Sequence, residues 1–136
     1  MKIISSRFSF RGKGILGKIY RPYLQILITS DQIDEWIPVE MVVDTGADYS
    51  LFPKRYAELL GIELEKECFL ENTYGVGGKE AIYLYKKGVR TKIGSFENRI
   101  PVGFLNRNDI PALLGRLQCL ELLTLVMKDK TTILEM

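Results

Sequence analysis

The apolar run Met41-Val42-Val43 ends at a carboxylate, Asp44, which is followed at once by Thr45 and Gly46. Such an order carries the acid out of a buried strand and into a tight turn, so the strand fixes where the turn begins. Gly46 has no Cβ and lets another stretch of backbone approach closely. A carboxylate in that position can accept main-chain N–H and hydroxyl hydrogen bonds that set its orientation and its pKa. Thr45 is the nearest hydroxyl. Taken alone, the tripeptide reads equally well as a polar turn closing a strand. Its surroundings must decide.

Much chemistry is excluded by what the chain lacks. There is no histidine among its 136 residues, which removes Ser-His-Asp and Cys-His catalysis and every histidine-containing zinc site. Cys68 and Cys119 are widely spaced. They offer no metal-ligand spacing and fit reduced buried thiols in a reducing compartment, or one disulfide. No metal and no cofactor is expected. The net charge is only +2, and Arg7, Arg11, Lys13 and Lys18 are interleaved with apolar and glycine residues. Nucleic-acid binding, which needs a concentrated basic surface, is not implied, and these cations read as a solvated face. No apolar run approaches the roughly 20 residues needed to cross a bilayer. The start of the chain is broken by Ser5, Ser6 and Arg7 before it reaches the length of a signal peptide. The expectation is a soluble cytoplasmic protein without a membrane partner, in one domain spanning 1–136.

The pattern is mostly β. Strand character runs from Ile3 to Phe10, Gly12-Lys13-Gly14 supplies a turn, and further strands follow over Ile15 to Tyr20 and Tyr23 to Thr29. Trp36 to Val43 leads into Asp44, with Pro38 marking a strand that begins near an edge. Pro53 to Gly61 predicts a short helix with Tyr56, Leu59 and Leu60 on one face. Ile62 to Asn72 reads as a mixed strand. Two strands then flank Gly75-Val76-Gly77-Gly78, which predicts a mobile hairpin or an ordinary glycine-rich turn. Hairpin strands around Gly94-Ser95 come next, then a polar loop at Asn106 to Asp109 and an apolar return through Leu113-Leu114 to Gly115 and Arg116. Leu117 to Leu122 predicts a second short helix. Thr124 to Lys128 and Thr131 to Met136 form a terminal hairpin whose last strand would leave an unpaired edge.

Three of these pieces occur together and in order. Asp44-Thr45-Gly46-Ala47 with Ser50 resembles the active-site loop of the retropepsin-like aspartic proteases. Gly75-Val76-Gly77-Gly78 resembles the tip of their flap, and Leu113-Leu114-Gly115-Arg116 resembles the segment that braces their active-site loop. The resemblance covers the chain from the strand before Asp44 to the C-terminus. It implies an all-β fold, a closed barrel with one or two short helices, whose active site forms at a two-fold dimer interface. It also implies catalysis by Asp44 with Thr45 and Gly46, and substrate binding by Ala47, Asp48, Tyr74 and the flap residues Gly75, Val76, Gly77 and Gly78. Bracing falls to Leu114, Gly115 and Arg116, with Arg116 paired to Asp48, a contact for which a planar guanidinium is better suited than lysine. Leu117 departs from the pattern, since non-viral members often carry an acid there.

Peptide hydrolysis of this type needs two carboxylates sharing one proton, and the chain holds one Asp-Thr-Gly triplet. A homodimer acting on an extended peptide substrate is therefore implied, one Asp44 coming from each copy across an isologous interface. The alternatives are an inactive peptide-binding or dimerisation module on the same fold, and an unrelated small β-barrel with chance matches.

Overall fold

The computed structural model describes residues 1–75 and 78–136. Among these described residues, twelve strands are arranged in three sheets. The largest holds β4 (Tyr23–Thr29), β5 (Ile37–Val43), β6 (Ser50–Phe52), β7 (Phe69–Gly75), β8 (Gly78–Ile93), β9 (Phe96–Leu105) and β10 (Ala112–Leu114). Its order is β4-β5-β10-β6-β9-β8-β7, and a further pairing of β4 with β8 closes six of the seven into a barrel. The sequence pattern explains the inward faces: Leu24, Ile26 and Ile28 of β4 are buried while Gln25 and Leu27 between them are exposed. Val39, Met41 and Val43 repeat the alternation on β5. Pro38 lies before the stretch in which β10 pairs with β5, so its missing N–H disrupts no ladder on that side.

Strand β8 serves two structures at once. Its first half pairs with β7 and its second with β4, and β9 runs beside both halves. Between them, Tyr85 to Val89 opposes only Val102 to Ile100, a bulge at which Gly88 takes φ +91°. At that bulge the strand redirects from barrel to hairpin.

The two ends of the chain form the second sheet, in the order β1 (Lys2–Arg7), β12 (Thr131–Glu135), β11 (Thr124–Lys128). This corrects the expected free edge: β12 is the central strand, because the N-terminal strand covers the side the sequence leaves open. The sheet is seated on the barrel through Ile3 and Leu134, both in the core. Gly94, in the β8–β9 turn, lies so near β1 that a Cβ there would stand 1.9 Å from the Ile3 carbonyl oxygen. The third sheet is the hairpin of β2 (Ser9–Gly14) and β3 (Gly17–Arg21). Its turn is Ile15-Leu16, whereas Gly12, expected in the turn, sits in a bulge at φ +127°.

Helix α1 (Lys54–Leu59) follows Pro53 and ends before Gly61 at φ +72°. Ala57 is buried within it, Leu60 just past its end is buried and Tyr56 packs against the core as expected, whereas Leu59, expected on the same face, is exposed. Leu64–Glu67 is a second helix, α2, where a strand was expected. The Glu67 carboxylate accepts the Glu63 N–H at 2.7 Å, a local contact that favours a turn over extension. The expected helix at Leu117 shortens to a 3₁₀ turn over Leu120–Leu122. Among the described residues no helix is long and apolar enough to cross a membrane.

One surface cluster ties β9 to the loop after β4. Arg99 Nη2 lies 3.0 Å from Asp31 Oδ1, and Lys87 Nζ lies 3.5 Å from the other oxygen. The Arg99 guanidinium, with Lys87 beside it, holds Asp31 below its ordinary pKa. Its contribution is therefore present above the unfolded carboxylate pKa of about 3.9 and is lost as pH falls through the lower folded value. Asp31→Asn is expected to lower the melting temperature slightly near neutrality, and the deficit should vanish in strong acid. A deficit that persists in strong acid would assign the contact to packing instead of charge.

Candidate active site

Strands β5 and β10 run parallel, pairing Val42 with Leu113 and Val43 with Leu114, so Asp44 and Gly115 leave the barrel side by side. The Asp44 N–H donates to the Leu114 carbonyl at 3.0 Å and the Ala47 N–H to the Asp44 carbonyl at 3.2 Å, closing the turn. The Gly46 N–H donates to Asp44 Oδ1 at 2.9 Å, which orients the carboxylate. A Cβ on Gly46 would lie 3.3 Å from that same oxygen. Asp44 is half-buried and Thr45 exposed.

The segment after β10 clamps this loop. The Arg116 and Leu117 N–H groups donate to the carbonyls of Ala47 and Asp48 at 3.0 and 2.9 Å. From its side chain, Arg116 donates to the Thr45 carbonyl and to Asp48 Oδ1, both at 2.6 Å. The pair implied by the resemblance is therefore in place, and the Asp48 side chain remains 81% exposed, open to a ligand. Leu117, which departs from the residue the resemblance leads one to expect, still makes the clamp through its backbone. Beneath it Gly115 is buried, its N–H donating to Ser50 Oγ at 2.9 Å. A Cβ on Gly115 would meet the Tyr49 carbonyl carbon and oxygen at 2.4 Å. The bracing role of Ser50 was not foreseen: a hydroxyl in a buried strand signals a partner, but not which one.

The β7–β8 hairpin pairs Tyr74 with Lys79 and Gly75 with Gly78, and Gly78 takes φ +104°. The expected flap residues Val76 and Gly77 lie outside the described residues. Tyr74 is exposed. It lines a cavity of about 350 Å³ together with Leu51, Thr73, Ile82, Leu105 and Arg107. This links the hairpin to β6, the strand that follows the Asp44 loop. None of the cavity residues except Tyr74 and Gly78 was singled out from sequence, since strand alternation marks which side chains point inward but not what space they enclose. Gly103 makes room here, because a Cβ would fall within 3.0 Å of Tyr49, Leu51 and Ile82 side-chain atoms.

The Tyr49 hydroxyl is pushed above its ordinary pKa, first by burial and then by the charges of Glu71 and Asp48. Both cysteines are free: burial raises the Cys68 thiol to about 11 and the Cys119 thiol to about 12. Among the described residues no group of three His, Cys, Asp or Glu side chains could hold a metal ion.

A closed barrel that delivers an Asp-Thr-Gly loop against a parallel strand, with a hairpin nearby, defines a retropepsin-like fold. The model of the aspartyl protease family matches residues 32–116, and the chain belongs to that family. A retropepsin-like aspartic protease from Rickettsia conorii has the same fold, with a TM-score of 0.64 at 16% identity over 96% of this chain and 98% of that one. EIAV protease, complexed with the inhibitor HBY-793, superposes with a TM-score of 0.54 at 23% identity, covering 71% of this chain and 82% of that one. No curated protein matches by sequence.

Proposed function

We propose that the protein is an aspartic endopeptidase whose catalytic pair consists of Asp44 from each of two copies. The observation that carries this reading is the restraint on Asp44: its carboxylate is oriented by the Gly46 N–H and its loop is clamped by Arg116 and Leu117, while the chain holds one such triplet. A clamp of this kind is what preorganised catalysis requires and a simple polar turn does not. The whole chain, 1–136, forms the catalytic subunit.

In the reaction one Asp44 carboxylate accepts a proton from water as the water oxygen attacks the scissile carbonyl carbon. The protonated Asp44 of the other copy donates its hydrogen to the carbonyl oxygen. The tetrahedral intermediate then collapses: the C–N bond breaks as the amine nitrogen takes the proton the first Asp44 accepted from water, and a hydroxyl of the intermediate returns a proton to the other Asp44 as the carboxyl group forms. Two carboxylates this close cannot both ionise cheaply, so the pair titrates as a unit and activity declines as the shared proton is lost. Thr45 and Gly46 hold the loop, Ala47 and Asp48 bind the backbone of an extended peptide, and the hairpin with Tyr74 and Gly75 to Gly78 covers it. Leu114, Gly115 and Arg116 brace the loop from below. No cofactor is used, and the two free thiols fit a reducing cytoplasm.

The test is cleavage of a diverse peptide mixture in a titration with Asp44→Asn chains. Mixed dimers hold one acid, so activity should fall as the square of the wild-type fraction. A linear fall would assign the chemistry to single chains, and absence of cleavage by a verified dimer would favour a peptide-binding module.

A further inference from the structure

The β2–β3 hairpin ends in two adjacent aliphatic side chains, Ile15 and Leu16, that are wholly exposed. A second feature on the same chain matches them. A cavity of about 150 Å³, walled by Tyr49, Leu84, Pro101, Val102 and Leu117 with Lys86 at its side, adjoins the Asp44 loop. The space opens to solvent, its lining is apolar, and its volume suits one aliphatic side chain with the second packed on the rim. We infer that the Ile15-Leu16 tip of one copy inserts into this cavity of the second copy, so that each subunit's arm packs beside the partner's Asp44 loop. The inference rests on the dimer proposed above.

Placement supports the exchange. The arm leaves the barrel at Pro22, whose carbonyl accepts the Val43 N–H at 2.9 Å, one residue before Asp44. A strand rises about 3.3 Å per residue, so the tip stands roughly 20 Å from Pro22. If two Asp44 carboxylates share a proton, the two-fold axis passes between them and the partner's loop lies next to the arm's root. The cavity belongs to that loop: Tyr49 is five residues past Asp44, and the Leu117 N–H donates to the Asp48 carbonyl.

Charge favours the same occupant. The hairpin 9–21 carries Arg11, Lys13, Lys18 and Arg21 and no Asp or Glu, whereas the rest of the chain carries fifteen basic against seventeen acidic residues. Lys13 and Lys18, paired across the hairpin just behind the tip, therefore approach a body of opposite net charge in a second copy. The cavity's Tyr49 already feels Asp48 and Glu71. Opposite potentials steer and orient such an encounter.

Sedimentation equilibrium of the full chain tests this with the tip variant Ile15→Ser/Leu16→Ser, the cavity variant Leu117→Asp and their combination, each checked by circular dichroism. The wild type should dimerise, and each variant should raise the dissociation constant at least about tenfold. The combination should cost no more than the larger single effect, as expected for two sides of one contact. Dimerisation of the tip variant with wild-type affinity would overturn the arm exchange while leaving the shared-Asp44 reading intact, and so would strictly additive losses. A wild type that stays monomeric would overturn both. Tip-dependent binding to anionic vesicles with dimerisation unchanged would assign the arm to a lipid surface and overturn it too.

Discussion

Replacing Asp44 by Asn is expected to lower peptide cleavage by about 10²–10⁴-fold, the range over which a positioned proton-transfer group acts. The substitution isolates chemistry from architecture. An amide oxygen can still accept the Gly46 N–H that the carboxylate accepts at 2.9 Å, and the main-chain bonds from Asp44 to Leu114 and from Ala47 to Asp44 do not involve the side chain. The loop should therefore keep its shape. What is lost is the ability to take a proton from water, or to hold the shared proton toward the substrate carbonyl. Initial rates should be measured beside sedimentation and thermal melting on the same preparation. A variant that cleaves within tenfold of the wild type would remove Asp44 from the mechanism.

Gly115→Ala should act in the opposite way, through structure first. The added methyl would stand 2.4 Å from the Tyr49 carbonyl carbon and oxygen and 2.9 Å from the Ser50 nitrogen. These are main-chain atoms of the entry to β6, held between β9 and β10, so they cannot swing aside as a side chain would. Overpacking of this kind costs about 1–3 kcal/mol, which for a chain of this size lowers the melting temperature by roughly 3–15 °C. Relief of the clash must move the Asp44 loop away from Arg116, and cleavage should fall along with stability. A melting curve unchanged from wild type would show that Gly115 is not the tight contact described.

The parts of the site legible in the sequence are those written in consecutive residues. An apolar strand running into Asp44-Thr45-Gly46, and Leu113-Leu114 running into Gly115-Arg116, state their own geometry, because both depend on where a strand ends and a glycine begins. The pairing of Arg116 with Asp48 spans 68 residues and was reachable only through the resemblance, for nothing local distinguishes this arginine from a surface one. Non-local pairing was the main thing hidden. The terminal hairpin shows its two strands clearly, yet its partner β1 lies at the other end of the chain, and no alternation pattern encodes which edge a strand will meet. At Leu64–Glu67 the alternation of acids with apolar residues suits a strand, and a single carboxylate contact to the Glu63 N–H accompanies a helical turn instead. Cavities are hidden for the same reason as pairing: Leu51, Ile82 and Leu105 meet under the hairpin although they belong to three different strands.

The placement of β12 between β1 and β11 has a kinetic side. Lys2 pairs with Glu135, and the first and last residues exchange two main-chain hydrogen bonds. Pairing across such a separation carries the full entropy of loop closure before any contact rewards it, so β1 joins late in folding. The hairpins β7–β8 and β8–β9 have no such delay. During synthesis β1 emerges long before β12, with Ile3 unsheltered until that partner strand arrives. Strand β12 thus completes the seat for β1, and a chain stopped before β12 would carry an assembled barrel loop beside an unprotected strand edge.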